Sequence, residues 1–412
     1  MEDERINHVD NASIDENELT SDSGQASKSA SEAGAKKQYK EKEKKPKRKR
    51  PTIEDLGLQD LTTEEETQIK NGALIPIIKL KRDLAKMSTK LTPVQARYLV
   101  DSYYGLQEYR KSSDNQLSAL TKSGEAVEII DWLAANMYAL ETQIKTVLDT
   151  WSSAQPVGVW AKSICGIGPV LASGLLAYID ITKAPTAGAI WRFAGIDPNS
   201  RWLGTEESKK LMKELIPSGK TVTPEVLAQA AARVNKRPET LALAATDKES
   251  GEITYNSLQK ALAVRPWNAH LKVMCWKIGE SFVKVSNNAN DTYGKIYAYR
   301  KVQEQQKNEQ KLFASQAAEG MLRVGKDTEA YEWYQKGMLP PDHIHSRAKR
   351  YAVKLFLSAY HEVAYFAHYQ KLPPKPYVIE MLNHVHYIAP PNMHLIPGLK
   401  EAHNLFRTNT SV

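Results

Sequence analysis

The sequence predicts a mainly α-helical protein, and three observations carry that reading. Apolar residues recur at steps of three and four over long stretches after residue 90. No apolar–polar alternation of period two runs long enough to argue for a sheet. Thr-Pro pairs open several periodic runs and glycines close others, which are helix start and stop signals. The expected order is a disordered acidic-then-basic tail over 1–55, a helical hairpin or coiled coil over 56–150, and a compact helical core over 151–204. A helical insertion follows over 205–262, and a C-terminal helical part with basic faces fills 263–412.

Composition sets the class. The chain has 412 residues, 42% hydrophobic and 25% charged, enough for two or three domains with a real core. No run of 18 apolar residues offers a membrane span. The start, MEDERINHVDNASIDENELT, has no apolar segment of the kind a secretory signal needs. Cys165 and Cys275 stand singly in apolar segments, so neither a disulfide framework nor a metal knuckle is expected, and a reducing compartment fits. Residues 1–35 carry nine acids and two bases, and residues 36–50 carry ten bases and two acids. With Lys and Arg outnumbering Asp and Glu 56 to 48 overall, the remaining chain is still at +7. A basic body points to a polyanionic partner, nucleic acid foremost; a generically basic soluble protein is the plainer alternative.

The elements follow in order. Residues 1–50 lack the apolar surface that would offset their ordering entropy and are read as disordered. Their KKPKRKR run reads as a polyanion-binding arm in a cytoplasmic protein, with a nuclear address as the alternative. LTTEEETQIKNG, from Leu61, predicts a first helix. Thr92-Pro93 opens a second, with Ala96, Leu99, Val100, Tyr103 and Leu106 near the 3.6 period. After Gly124 a third carries the stripe Ile129, Ile130, Leu133, Met137, Leu140, Ile144, Val147 and Leu148. Two long amphipathic helices on a short polar loop predict an antiparallel hairpin, a spacer or dimerisation arm. Thr223-Pro224 opens a helix that NKRP separates from another, a helix-turn-helix rhythm. Farther on, Leu271, Met274, Cys275, Ile278 and Phe282 form one apolar face, and Ala352, Leu355, Phe356, Ala359 and Val363 another.

Gly166-Ile167-Gly168-Pro169 between short helical segments is the sharpest local signal. Such a turn presents backbone N–H groups at a helix N-terminus, where a phosphate can approach and the helix dipole favours it. Helix-hairpin-helix modules hold nucleic-acid backbones in this way; close helix packing is the competing explanation. Lys162, Arg192 and Arg201 are the cations expected to neutralise phosphates nearby. Trp267, Tyr293, Tyr297 and Tyr299 interleave with Arg265, Lys277, Lys295, Arg300 and Lys301, a pattern suited to stacking unpaired bases, although the tyrosines fit a core equally. Arg265, Trp267, Asn268, Lys272, Lys277, Arg347, Arg350 and Lys354 form a second tier of RNA or DNA contacts. Eight of ten histidines follow residue 342, yet no HExxH or His/Cys cluster accompanies the two HxH pairs, so no metal and no cofactor are expected. Asp342-His343 echoes an HNH nuclease start, but a periodic helix follows where strands are required. The segment before the hairpin is too short for a ribonuclease-H-type domain with its metal-holding carboxylates, and no nuclease centre is expected.

A hairpin followed by WAKSICGIGPVLASGLLAYIDITKAPTAGAIWRFAGIDPNSRW resembles two related families. One is the Nop-domain proteins of small nucleolar ribonucleoproteins. The other is the C-terminal transposase domain of bridge-RNA-guided insertion-sequence recombinases, where a GIGP-like stretch precedes a motif similar to Ala194-Gly195-Ile196-Asp197-Pro198. TIGR-associated (Tas) proteins lie between them, and the chain looks most similar to a Tas-like protein without a nuclease domain. The resemblance covers residues 90–204 well, and 265–300 and 340–370 loosely. It implies a Nop-like core holding a structured guide RNA, RNA-guided binding of duplex DNA, and a homodimer formed through the hairpin. The recombinases carry a nucleophilic serine just before a glycine downstream of the proline. Here Leu203 precedes Gly204 and the nearest serine is Ser200. The alternative is therefore a diverged transposase performing strand transfer with Ser200; a helical adaptor with a polyanion-binding tail is a third reading.

Overall fold

The computed structural model describes residues 86–197, 201–217, 221–248, 250–374 and 388–408. The tail, the helix expected from Leu61, and the serine at position 200 lie outside them. Among the described residues every regular element is helical, as the periodicity requires. The chain divides near residue 151 into two compact units.

The first unit holds the hairpin. Helix α1 runs Pro93–Ser123. Thr92 caps it reciprocally, its hydroxyl accepting from the Gln95 amide while the Gln95 side chain accepts from the Thr92 amide. Helix α2 runs Glu128–Ser153. The two are antiparallel: the Arg110 guanidinium meets the Glu141 carboxylate at 2.7 Å, Gln107 donates to the same carboxylate at 3.2 Å, and the Trp151 indole donates to the Leu91 carbonyl. The expected α2 stripe is corrected. Of its eight residues Leu148 alone is fully buried, while Ile129 is 78% exposed. Ala134, Ala139 and Glu141 are buried besides, and Glu141 meets α1 through Arg110 and Gln107.

The second unit is built around one long helix. Short helices α3 (Pro156–Lys162), α4 (Pro169–Tyr178) and α5 (Ala187–Phe193) come first. Helices α6 (Gly204–Leu215), α7 (Pro224–Arg233), α8 (Pro238–Ala245) and α9 (Tyr255–Ala263) form a module. Then come α10 (Ala269–Val285) and α11 (Tyr293–Glu309), followed by the short α12 (Ala314–Met321) and α13 (Glu329–Gln335). The central α14 spans Pro341–Tyr369, and α15 spans Leu399–Thr408. α14 packs lengthwise on α10 and α11 and receives α3 and α5. Phe356 is the hub: Trp160, Phe282 and Tyr293 place their rings 5.3–6.2 Å from it. All five apolar residues expected on the α10 face are buried.

The α6–α9 module has its own core of Leu211, Met212, Leu241, Leu258 and Leu262 with small alanines between them. Its entrance and exit meet, for the Trp202 indole just before it donates to the Ala263 carbonyl at its end, 2.7 Å away. An insertion with adjacent ends leaves its host core undisturbed. The expected helix-turn-helix is present in form, turning at Asn235 in the left-handed region, φ 50°. The outer face of α8, however, shows Glu239, Thr240, Leu243 and Ala244, with no cation to meet phosphate.

Candidate nucleic-acid interface

Two places gather the residues that the sequence singled out, at opposite ends of α10. At its C-terminal end lies the turn from α3 to α4. Gly166 adopts φ 92°, and a Cβ there would lie 3.1–3.3 Å from Ser281, Val285 and Phe282. The Ser281 hydroxyl donates to the Gly166 carbonyl at 2.6 Å. Gly166 therefore faces α10 and serves close packing, not an open surface. Gly168 is the reverse case: it is exposed, it caps α4 without any side-chain bond, and an added Cβ would meet nothing within 4 Å. Lys162, Ser163, Cys165 and Asn290 border a shallow depression over this turn. The Lys162 ammonium is hydrogen-bonded to the Ser153 hydroxyl. Asn290, supplied by the α10–α11 loop, carried no sequence signal, because only the fold brings it here.

At the N-terminal end of α10, Gly195 of the second motif meets Trp267. Gly195 sits at φ 66° with the Trp267 ring pressed on it, so close that a Cβ would fall 2.6 Å from Cγ. The Trp202 ring lies edge-on to Trp267 at 6.1 Å, Lys272 Nζ lies 4.2 Å over Trp267, and the Arg265 guanidinium lies 4.7 Å over Trp202. Such cation–ring contacts contribute about 0.5–1 kcal/mol each at exposed sites. The Asn268 side-chain oxygen accepts from the Leu271 amide, and the Asn268 backbone N–H donates to the Phe193 carbonyl. Asn268 is thus a helix cap and Trp267 a packed ring, and both have structural work already. Arg192 is 68% exposed and stands 3.9 Å from Asp197; Arg201 is exposed as well.

This divides a set that the sequence had joined. From Ala269 to Ser281 the helical rise is about 18 Å, so Arg192 and Arg201 belong with Trp267 and not with the Gly166 turn, where Lys162 is. On α14 the expected row also splits. Arg347 turns inward, its Nε 2.7 Å from the fully buried Glu304 and its guanidinium 4.4 Å over Phe313. Burying that pair leaves Arg347 a packing role rather than an open cationic face. Lys354 places its ammonium 5.5 Å over Trp191, whose indole donates to the Lys354 carbonyl. Arg350 is half-buried and, with Arg347, depresses the pKa of His343 to about 4, burial being the larger cause. Lys277 is half-buried on α10.

Tyr293 and Tyr297 are core residues, the latter bonded to His345 Nδ1 at 2.8 Å, whereas Tyr299 is 68% exposed. His345 bonds to Tyr297, while His343 Nδ1 is buried without a hydrogen-bond partner; His384 and His386 lie outside the described residues. The sequence reading missed Trp191 and Trp202. Both stand next to an arginine, at 192 and 201, and that adjacency was the available signal.

The two ends of α10 are thus tied to one continuous stretch, α3 through α5 and into the inserted module. Residues 160–243 match the transposase IS116/IS110/IS902 family. This supports the relation to the recombinases' transposase domain that GIGP and AGIDP suggested. The match runs on through α6, α7 and most of α8, a segment the sequence reading had left without a counterpart. No curated protein and no solved structure matches the chain. No helix among the described residues is long and apolar enough to cross a membrane.

Proposed function

We propose that the chain is a nucleic-acid-binding protein built on a transposase-like helical core, and that this core holds a structured guide RNA which directs it to duplex DNA. The observation that carries the reading is the gathering of Arg192, Arg201, Arg265 and Lys272 around the Gly195–Trp267 contact, inside and beside the matched segment. The exposed Arg265 guanidinium, held against the Trp202 ring, is pre-organised for phosphate oxygens and loses little freedom on binding. The Gly168 end of α4 supplies uncapped backbone amides for a second backbone contact. The exposed part of the α2 stripe, with Ile129 and Leu133, is the surface we assign to a second copy of the chain.

The test is the salt dependence of RNA binding by the full chain. Replacing Arg192, Arg201 and Arg265 together by Ala should weaken binding and flatten the log–log salt slope by about 2–3. An unchanged slope would remove this surface from the account. Deleting residues 1–50 separates the core from the tail: if all binding goes with the tail, the adaptor reading stands instead.

The family match favours a second reading, a transposase. Its chemistry would need the Ser200 hydroxyl to attack phosphorus, forming a phosphoseryl ester and releasing the sugar hydroxyl, with its proton passed to a base. Ser200→Ala decides: loss of strand transfer with RNA binding intact supports the enzyme, and no strand transfer by the wild type refutes it.

A further inference from the structure

Trp276 lies on the outer face of α10 with 47% of its surface exposed, and Val273, one turn earlier, is 45% exposed. Tryptophan is among the residues most often buried on average, and leaving its ring in water forfeits apolar burial. No aromatic ring of a described residue packs against Trp276, and Lys349 Nζ lies 5.8 Å from its ring centre. Four other tryptophans of this unit differ, while the fifth, Trp333, is half-buried with Lys336 Nζ 5.4 Å from its ring centre. Trp160 is fully buried, Trp267 rests on Gly195, and Trp191 and Trp202 donate their indole N–H groups to carbonyls. Trp132, in the hairpin, is 65% exposed, but Glu128 and Asp131 precede it within one turn.

Cations surround Trp276. Lys277 and Lys284 stand on α10 itself, Lys284 exposed. Lys349 of α14 reaches the same side, held at 2.5 Å by Glu280. It can do so because α14 runs close to α10 at Gly279, where an added Cβ would lie 3.4 Å from Lys349 Cβ. With the Lys349–Glu280 pair neutral, Lys277 and Lys284 leave this side of α10 positive beside an open ring.

We infer that Trp276 is the stacking platform for one base of a single-stranded nucleic acid, whose flanking phosphates lie along Lys277 and Lys284. The inference rests on the nucleic-acid reading above and adds its strandedness and its anchor. A polynucleotide fits this patch because a flat ring takes any base face while the ammonium groups neutralise the backbone without reading sequence. Trp267, which the sequence favoured for this task, has its faces engaged within the protein.

The experiment uses the full chain and labelled homopolymers, oligo(U) and oligo(dT) of about 15 nucleotides, with fluorescence anisotropy over a salt series. Trp276→Ala should weaken binding about tenfold, the order of one lost stack, and leave the salt slope unchanged. Trp276→Phe should retain most of the affinity, and Trp276→Leu should behave like the alanine variant. Lys284→Ala should instead reduce the slope by about 0.7. The RNA and DNA arms show which strand is preferred. Wild-type affinity in Trp276→Ala would overturn the inference, as would full affinity in Trp276→Leu, since a merely apolar contact would then suffice. A changed oligomeric state with unchanged oligonucleotide affinity would assign the ring to a protein contact and overturn it too. If Trp276→Ala loses helicity, the Phe and Leu variants carry the comparison. A wild type that binds structured RNA while all Trp276 variants match it sinks this inference alone; a wild type that binds no nucleic acid sinks the functional reading with it.

Discussion

Gly195 and Gly168 share a residue type and differ in what a Cβ would meet. Gly195→Ala must relieve both a left-handed backbone and a collision with Trp267, so it should cost about 3 kcal/mol of stability. Gly168→Ala meets open space and should cost less than about 1 kcal/mol. Urea denaturation of both variants checks the contrast. The thiols also differ: burial pushes Cys275 up to about 12. A thiol reagent at neutral pH should modify Cys165, which is half-exposed, and leave Cys275 untouched until the chain unfolds. His343 sets a pH dependence. Its pKa falls to about 4 in the folded chain, and burial lowers His345 and His361 in the same direction. Between pH 6.5 and about 4 the unfolded chain therefore binds more protons than the folded one, and stability falls as pH drops through that window. His343→Gln should flatten this part of the stability–pH curve.

Among the elements, the α1–α2 hairpin depends on one buried ion pair. Arg110 and Glu141 are 11% and 7% exposed, and the carboxylate holds the guanidinium pKa above its ordinary value, its hydrogen bond being the largest cause. Glu141→Ala leaves a buried cation unpaired and should cost about 3–5 kcal/mol, while Arg110→Met with Glu141→Leu should be close to neutral. Thermal melts of the three chains test this. The pair also explains where the sequence reading of α2 failed. Periodicity located the helix and its length, but a glutamate in the seam is invisible to a hydrophobic stripe, so Ile129 and Leu133 were placed inward. α10 went the other way. Its apolar face was legible because five residues at helical spacing all turn into the core of the unit. Trp276 was not, since it follows Cys275 in an apolar run and only packing against α14 shows that its ring turns outward.

For the molecule as a whole, the helical class and the GIGP and AGIDP motifs were legible because local periodicity and turn chemistry determine them. The distribution of the site residues was not. Arg192 and Lys162 are thirty residues apart in sequence and fall at opposite ends of α10, and Arg347 turned inward because α11 offers it Glu304. Such pairings depend on tertiary neighbours that no single segment encodes. Phosphate-suited arginines stand at one end of α10, a lysine-bordered glycine turn at the other, and an open tryptophan on the outer face of the helix. Its central claim is a bound guide RNA. The most direct measurement is to purify the full chain at moderate salt, where contacts made by phosphate charge alone weaken steeply, and to sequence the RNA that stays with it. The account predicts one discrete RNA species, lost when Arg192, Arg201 and Arg265 are replaced by Ala. A smear of unrelated fragments, or no RNA at all, would contradict it.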